Sequence, residues 1–205
     1  PLKTHVELLD RIIIGETSLS SDHATHTACT MVGLGNNLKA KGMAPKSKVK
    51  VYTSANDNVE MALFAMEGGI LSNHSYTRAR GNDFPYLLGA YDHLAADWDQ
   101  IAYHAPYYLI VKSAGNLLNE SPDISKSGYD LLFRNSCSKN ILTVGSIADI
   151  ANSSIPNNIT LSHFSSTGPT DDWRIKPDIV TNGQFLFSAN DDHNQSYQES
   201  SGTSM

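Results

Sequence analysis

Three side chains of this sequence have the chemistry needed for acyl transfer: His23, Asn116 and Ser204. A serine hydroxyl is a weak nucleophile at neutral pH, so a catalytic serine needs a histidine that accepts its proton. It also needs donors for the oxyanion, and a side-chain amide aimed there contributes about 3 kcal/mol to the transition state. The three residue types together predict hydrolysis through a covalent serine intermediate.

The local context of each residue favours such a site. His23 follows Asp22, which could cap a helix, and small residues come next, so we expect His23 in the first helical turn. Asn116 ends the string Ser-Ala-Gly-Asn directly after an apolar segment. Ser204 follows Gly202-Thr203, and a glycine there permits close approach of a substrate backbone. Each string alone is ordinary, and the prediction rests on their combination.

A zinc site is the main alternative for the first of these strings. His23 and His26 are three residues apart and could share a helix face. The usual zinc pair is four residues apart with an intervening glutamate, and that glutamate is missing here. No third ligand has a fitting local motif, so the sequence favours a general base over a metal ligand.

Short apolar segments alternate with helical patterns, which predicts an α/β fold. Helices are predicted at 22–32, 58–66 and 85–104, and strands at 49–52, 70–75, 107–111, 141–145, 175–180 and 185–187. Such alternation implies right-handed crossovers and a parallel sheet that is covered on both faces. Reactive groups then lie beyond the carboxyl ends of the strands, and Asn116 fits that rule. We expect polar, turn-rich loops at 117–140 and 149–162.

Composition limits the classes of partner. The 205 residues suffice for one domain with a large core, and the net charge of −6 argues against a nucleic-acid partner. No run of 18 apolar residues occurs, so we expect no membrane partner. Cys29 lies among small residues and is interpreted as a buried thiol, with a Cys29–Cys137 disulfide as the less favoured alternative. Cysteine usage does not settle the compartment.

Seven motifs occur along the chain in a recognisable order. They are His23-Ala24-Thr25-His26, Gly42-Met43-Ala44-Pro45, Ser72-Asn73-His74-Ser75-Tyr76, Ser113-Ala114-Gly115-Asn116, the segment 141–146, the segment 164–169 with Lys176-Pro177-Asp178, and Gly202-Thr203-Ser204-Met205. In type and order they resemble the motifs of the subtilisin-like serine peptidases (subtilases), over nearly the whole chain.

The resemblance implies specific roles. His23 would be the general base, Ser204 the nucleophile and Asn116 the oxyanion donor of a serine endopeptidase that needs no cofactor. Substrate-binding residues would be Ser75, Tyr76, Thr77, Ser113, Ala114 and Gly115. The implied fold is a three-layer α/β/α arrangement with a mainly parallel central sheet. The implied partners are a polypeptide substrate and, in a full-length protein, its own propeptide, and the implied location is extracellular.

Departures from the family pattern limit these expectations. Thr77 stands where glycine is usual, which predicts narrower walls for the substrate pockets, and Ala24 and Cys29 each replace another glycine. The segment Thr4-His5-Val6-Glu7-Leu8 resembles one that comes shortly after the catalytic aspartate, whose own motif is absent. We therefore expect residues 1–205 to be one peptidase domain that is incomplete at both ends and nearly inert by itself.

Two interpretations stay open at this level. A subtilase-like fold can serve as a non-catalytic binding module, because fold does not imply function. The aromatic section 86–108 resembles an insertion seen in some subtilases and could shape a substrate cleft, although packing on the core is the favoured role. No carboxylate cluster has a convincing calcium-ligand spacing, so calcium binding is left open.

Overall fold

The computed structural model describes residues 1–17, 19–77, 85–119, 127–149 and 159–205, which fold as two compact units. The first unit comprises Pro1–Asp57, Phe185–Ser201 and Met205, and the second comprises Asn58–Gln184 and Gly202–Ser204. That residues 1–205 form a single incomplete peptidase domain stays a prediction.

The elements alternate between strands and helices along the chain. In order they are β1 (Ile12–Ile14), α1 (Asp22–Val32), β2 (Val49–Val51), α2 (Asp57–Met66), β3 (Leu71–His74), α3 (His93–His104), β4 (Leu109–Ser113), β5 (Leu142–Ile147), β6 (Ile179–Asn182), β7 (Leu186–Ala189) and β8 (Tyr197–Ser200). Short 3-10 helices span Leu38–Ala40, Pro85–Leu87 and Arg134–Cys137. None of the helices in the described ranges has the length and apolar composition needed to cross a bilayer.

The first unit packs α1 against the β7–β8 hairpin. Strands β1 and β2 pair in parallel, and β7 and β8 pair antiparallel with Leu186 opposite Ser200. The core of this unit includes the buried Leu8, Cys29 and Val32. The small residues that follow His23 thus form the buried face of α1, which explains their pattern in the sequence.

The second unit is built on a four-stranded sheet in the order β3-β4-β5-β6, with every neighbouring pair parallel. Its main core surrounds Met61 of α2, Trp98 of α3 and Ile110 of β4. The expected α/β class with a parallel central sheet is confirmed. The parallel arrangement places the carboxyl ends of β3 and β4 side by side.

The section 85–104 is not the single helix that the sequence predicts. A 3-10 turn at Pro85–Leu87 is followed by Gly89 at φ +77°, a conformation that glycine adopts readily and that interrupts a helix. Helix α3 begins only after Asp92, whose carboxylate accepts hydrogen bonds from Leu94 N and Ala95 N. Trp98 is 1% exposed, which agrees with the favoured packing role of this section.

Two further expectations about the second unit need correction. The described part of the predicted loop 117–140 contains the buried Leu131, Leu132 and Phe133, which pack in the interior instead of forming a solvated loop. Strand β4 starts two residues later than predicted and extends to Ser113, so that it includes the buried Lys112. Residues 150–158 of the other predicted loop lie outside the described residues.

The cysteines are both buried free thiols, so the alternative of a disulfide between them is wrong. Burial raises the pKa of Cys29 and raises that of Cys137 to about 12. Both thiols therefore stay protonated at neutral pH and are unreactive.

Candidate active site

His23 lies in the first turn of α1, as expected, but the cap differs from the prediction. Ser21 is the N-cap, and its hydroxyl accepts a hydrogen bond from Ala24 N at 3.3 Å. Asp22 is the first helical residue, and its Oδ1 accepts from Asp191 N at 3.0 Å. The helix start holds the backbone of His23 in a defined position.

The His23 side chain is exposed, and partial desolvation of its ring lowers its pKa. A lowered pKa keeps the imidazole neutral at neutral pH, which is the form that a general base needs. The geometry of the first unit thus suits a proton acceptor at this position.

The second histidine of the motif has a different environment. His26 is fully buried, and its Nε2 donates to Leu186 O of β7 at 3.0 Å. His23 and His26 therefore do not present their rings to one surface, which argues against the zinc pair. Within the described part of the chain, no group of three or more His, Cys, Asp or Glu side chains is arranged to hold a metal ion.

The oxyanion segment begins where β4 ends. Ala114 N donates to Val144 O of β5 at 2.9 Å, which continues the sheet for one more residue. Gly115 then adopts φ +114°, where a Cβ would lie 2.9 Å from Ser166 Oγ. A side chain at this position would be strained as well as crowded, so glycine is required to turn the chain toward Asn116.

Asn116 is bound by Thr203, the residue before the candidate nucleophile. The carboxamide oxygen of Asn116 accepts hydrogen bonds from Thr203 N and from Thr203 Oγ1, each at 3.0 Å. Thr203 Oγ1 also accepts from Gly115 N at 3.1 Å. Because these contacts hold the oxygen end of the amide, its NH₂ group is the end that can donate to an anion, and Asn116 is exposed.

Ser204 follows at the same edge of the second unit. Its carbonyl oxygen accepts a hydrogen bond from Ser75 Oγ at 3.2 Å, and Gly202 N donates to Gly183 O at 2.8 Å. Residues 202–204 form a bend and a turn. The backbone of this segment is thus held by Ser75, which follows β3, and by Gly183, which follows β6.

The substrate-binding segment after β3 is held by a residue that the sequence reasoning missed. Lys112 is 5% exposed, and its Nζ donates to Tyr76 O at 2.7 Å and to Ser113 Oγ at 3.2 Å. A lysine inside an otherwise apolar strand was the available signal. The predicted strand ended at residue 111, one position too early to draw attention to it.

The structure therefore brings together part of the predicted site. The segments carrying Ser75 and Tyr76, Ser113 to Asn116, and Ser204 are joined by hydrogen bonds within the second unit. Thr77 is the exposed residue that follows Tyr76. His23 belongs to the first unit.

A family model identifies the family of this chain. The family model described as "Subtilase family" matches residues 15–205. Among curated proteins, the chain is 44% identical over 55 residues to "Uncharacterized protein aq_aa18" of Aquifex aeolicus (strain VF5), a stretch that covers 26% of this chain and 25% of that protein.

Two solved structures resemble the chain over most of its length. The CspB protease of Clostridium perfringens is 16% identical with a TM-score of 0.64, and the match covers 90% of this chain and 66% of that one. The PatG macrocyclase domain is 19% identical with a TM-score of 0.61, over 89% of this chain and 48% of that one. At these identities the likeness shows the fold, and the chain spans about half to two thirds of each structure.

Proposed function

Because the chain belongs to the subtilase family, we propose that it carries the site of a serine endopeptidase that hydrolyses peptide bonds through an acyl-enzyme. The observation that carries the proposal is the double hydrogen bond from Thr203 to the Asn116 oxygen. It links the candidate oxyanion donor to the residue directly before Ser204. Two motifs that are 87 positions apart thus form one local arrangement.

The proposed reaction has two halves. Ser204 Oγ attacks the scissile carbonyl carbon, His23 accepts the hydroxyl proton, and the Asn116 NH₂ group with backbone N–H groups donates to the oxyanion. His23 then gives the proton to the leaving amine, and the C–N bond breaks to leave an ester on Ser204. A water molecule hydrolyses that ester by the same steps, and the serine is regenerated.

A polypeptide is the substrate that fits the second unit. Ser75 to Thr77 continue the edge strand β3 beyond its paired residues, so an extended chain can be added beside them. Ser113 to Gly115 lie at the end of the neighbouring strand β4, where their own backbone groups already bond to Val144, Ser166 and Thr203. The exposed Thr77 carries a side chain where the family usually has glycine. We therefore propose a substrate cleft that favours small side chains beside Thr77.

The remaining parts of the proposal concern the full-length protein. Family resemblance supports export and a propeptide partner. Residues 1–205 lack the Asp-Thr/Ser-Gly motif whose carboxylate orients the histidine, and loss of that carboxylate costs about 10⁴ in kcat in a well-studied serine protease. We therefore expect slow turnover by residues 1–205 alone, and rapid hydrolysis of a chromogenic peptide by this piece would contradict that expectation.

Covalent labelling of the full-length protein tests the function. A fluorophosphonate should label the wild-type protein on Ser204, and Ser204→Ala should abolish the label while the thermal midpoint stays unchanged. His23→Ala should reduce the labelling rate by at least about 10²-fold, the lower range for general-base catalysis. A well-folded wild-type protein that is neither labelled nor active on peptides would instead support the non-catalytic binding module.

The pH dependence of the reaction tests His23 separately. A general base works in its neutral form, and desolvation places the pKa of His23 below the ordinary 6.5. For residues 1–205, which lack the orienting carboxylate, we expect the slow kcat/KM to fall on acidification with a midpoint below 6.5. The full-length protein should show a higher midpoint, because a carboxylate beside His23 favours the imidazolium. A midpoint clearly above 6.5 for residues 1–205 would show that His23 is not the titrating base.

A further inference from the structure

We propose that Lys112 is a positioning residue for the peptide substrate, an inference that rests on the proposed function. Its buried ammonium joins the Tyr76 carbonyl to Ser113, and so fixes the distance between the two strand ends that would receive the substrate. Lys112 lies in none of the subtilase motifs named above.

The burial of Lys112 needs a physical reason. Moving an ammonium group out of water costs several kcal/mol unless hydrogen bonds replace the lost hydration. Lys112 Nζ donates to Tyr76 O at 2.7 Å, to Ser113 Oγ at 3.2 Å and to Ser113 O at 3.4 Å. It also lies 5.9 Å from the centroid of the Tyr76 ring, within the range of a cation–π contact. These contacts all involve the two candidate substrate segments.

These contacts lie where the pairing of strands β3 and β4 ends. Strands β3 and β4 pair in parallel from Leu71 opposite Leu109 to His74 opposite Lys112, where their register ends. The next residues are Ser75 and Tyr76 on one side and Ser113 on the other. The Lys112 side chain therefore ties Tyr76, which lies beyond the β3–β4 ladder, to Ser113, which is itself paired with Val144 of β5.

The Tyr76 side chain is fixed at a second point. Its hydroxyl is hydrogen-bonded to His74 Nδ1 at 2.8 Å, and His74 Nε2 is hydrogen-bonded to Ser72 Oγ at 2.8 Å. The His74 ring lies against Trp98 of α3, with ring centroids 4.7 Å apart. Tyr76 is thus held through its carbonyl by Lys112 and through its hydroxyl by His74.

The same segment contacts the candidate nucleophile. Ser75 lies between His74 and Tyr76, and its hydroxyl donates to Ser204 O at 3.2 Å. A shift of Tyr76 would displace Ser75 and the backbone groups that would pair with the substrate. A site held in advance by its supporting contacts binds more tightly, because less ordering is needed on binding.

This arrangement predicts a specific kinetic pattern. Loss of the Lys112 ammonium should weaken binding of an extended peptide, which would contact both segments. It should affect a small serine-reactive reagent such as a fluorophosphonate much less, because such a reagent needs mainly Ser204, His23 and the oxyanion donors. A raised KM with a nearly constant kcat would indicate lost binding of substrate and transition state alike.

The test uses the full-length protein with Lys112→Met, which keeps a flexible apolar stem and removes the charge. We expect KM for an extended peptide to rise about 10-fold with kcat within about 2-fold, the pattern of lost uniform binding. The rate of fluorophosphonate labelling should also stay within about 2-fold of the wild-type rate. Lys112→Arg keeps a cation and its donors, so its log KM should return at least halfway from the Lys112→Met value to the wild-type value.

The chain offers a matched control in Lys176, the other buried lysine of the described second unit. Its Nζ donates to Ile141 O, Thr143 Oγ1 and Asp178 Oδ2, none of which belongs to the candidate substrate segments. Lys176→Met should lower the thermal midpoint and leave KM unchanged. A KM increase in both variants would show that any buried-lysine loss has this effect and would overturn the proposal.

The remaining outcomes separate the two proposals. An active wild-type protein whose Lys112→Met variant keeps the wild-type KM contradicts the role of Lys112 alone. An equal loss of labelling and peptide turnover also contradicts it, because it indicates general disorder of the site. A wild-type protein that is neither labelled by the fluorophosphonate nor able to cleave the peptide contradicts the proposed function itself.

If Lys112→Met does not fold, Ser113→Ala should still raise KM about 3-fold, and an unchanged KM overturns the proposal.

Discussion

Two lysines are buried at the parallel sheet, one where strands begin and one where strands end, and only the first has a carboxylate among its partners. Where β5 and β6 begin, Lys176 Nζ donates to the Asp178 carboxylate at 2.7 Å and to Ile141 O at 3.1 Å. Where β3 and β4 end, Lys112 Nζ donates to Tyr76 O and to Ser113. Lys176 thus joins residues at the starts of two strands, and Lys112 joins residues at the ends of two strands.

This difference separates a contact that stabilises the fold from one that supports a site. Asp178 also accepts a hydrogen bond from Thr143 N at 2.7 Å, so the Lys176 pair fixes the start of β5 against the start of β6. The carboxyl ends instead carry Asn116 and Ser75, whose contacts lead to Thr203 and Ser204. In parallel sheets the carboxyl ends are where ligands bind, and the amino ends serve stability.

The largest effect should come from the carboxyl ends. In the full-length protein, Asn116→Ala removes the side-chain donor to the oxyanion and should lower kcat by roughly 10²–10³, with little change in KM. Steady-state kinetics on a chromogenic peptide measures this, and Asn119→Ala, an exposed neighbour, is the matched control. An Asn116→Ala enzyme with wild-type kcat would show that this end of the sheet is not the catalytic edge.

The next effect concerns the amino ends and should appear in stability alone. Asp178→Asn leaves the Lys176 ammonium, whose side chain is 3% exposed, without its charged partner. Because the Asp178 side chain is 32% exposed, we expect the free energy of unfolding to fall by about 1.5–3 kcal/mol, the range for a hydrogen bond to a charged group. Denaturant unfolding measures the loss, and kcat/KM should not change at a temperature where the variant is folded.

A double variant sharpens that result. Replacing both partners, as in Lys176→Met with Asp178→Leu, removes the unpaired charge and should recover much of the lost stability. Failure of the double variant to recover would show that the hydrogen bonds to Thr143, and not the charge pair, determine the stability of this end.

The local structure around the motif residues could be predicted from the sequence, because it depends on neighbouring residues. The position of His23 in a first helical turn and of Asn116 after a strand follow from neighbouring residues, and both are confirmed. The parallel sheet follows from the alternation of elements in the same way. Local patterns carry this information because the backbone geometry of one turn or strand end decides it.

Other features depend on contacts between distant residues. Thr203 binding to Asn116 and Lys112 binding to Tyr76 have no signature in either local string, since the partners are 87 and 36 positions apart. Strands β1 and β8, which the sequence did not predict, are short and form only through pairing with β2 and β7. The buried residues 131–133 were missed because they follow a polar segment and lie in no regular helix or strand.

The smallest effect concerns the acid sensitivity of the carboxyl-end network. Burial and the nearby charge of Lys112 lower the pKa of His74 from 6.5 to about 3. The unfolded chain therefore binds one more proton than the folded chain between these two values, so stability should fall as pH falls through this window. The expected slope from this group is at most about 1.4 kcal/mol per pH unit, with no contribution from it above 6.5.

His74→Gln separates this slope from those of other groups. Glutamine keeps a donor and an acceptor for Ser72 and Tyr76 but does not titrate. Denaturant unfolding of the full-length protein at several pH values between neutrality and about pH 5 should show a smaller loss of stability in the variant, by about 1.4 kcal/mol per unit below 6.5. Lys176→Met, which leaves His74 and its neighbours intact, should keep the wild-type slope despite its lower stability. Equal slopes in the wild-type and His74→Gln proteins would mean that water reaches the His74 ring. The contacts of His74, Tyr76 and Lys112 would then not form a buried network, and the comparison with the buried Lys176 would no longer hold.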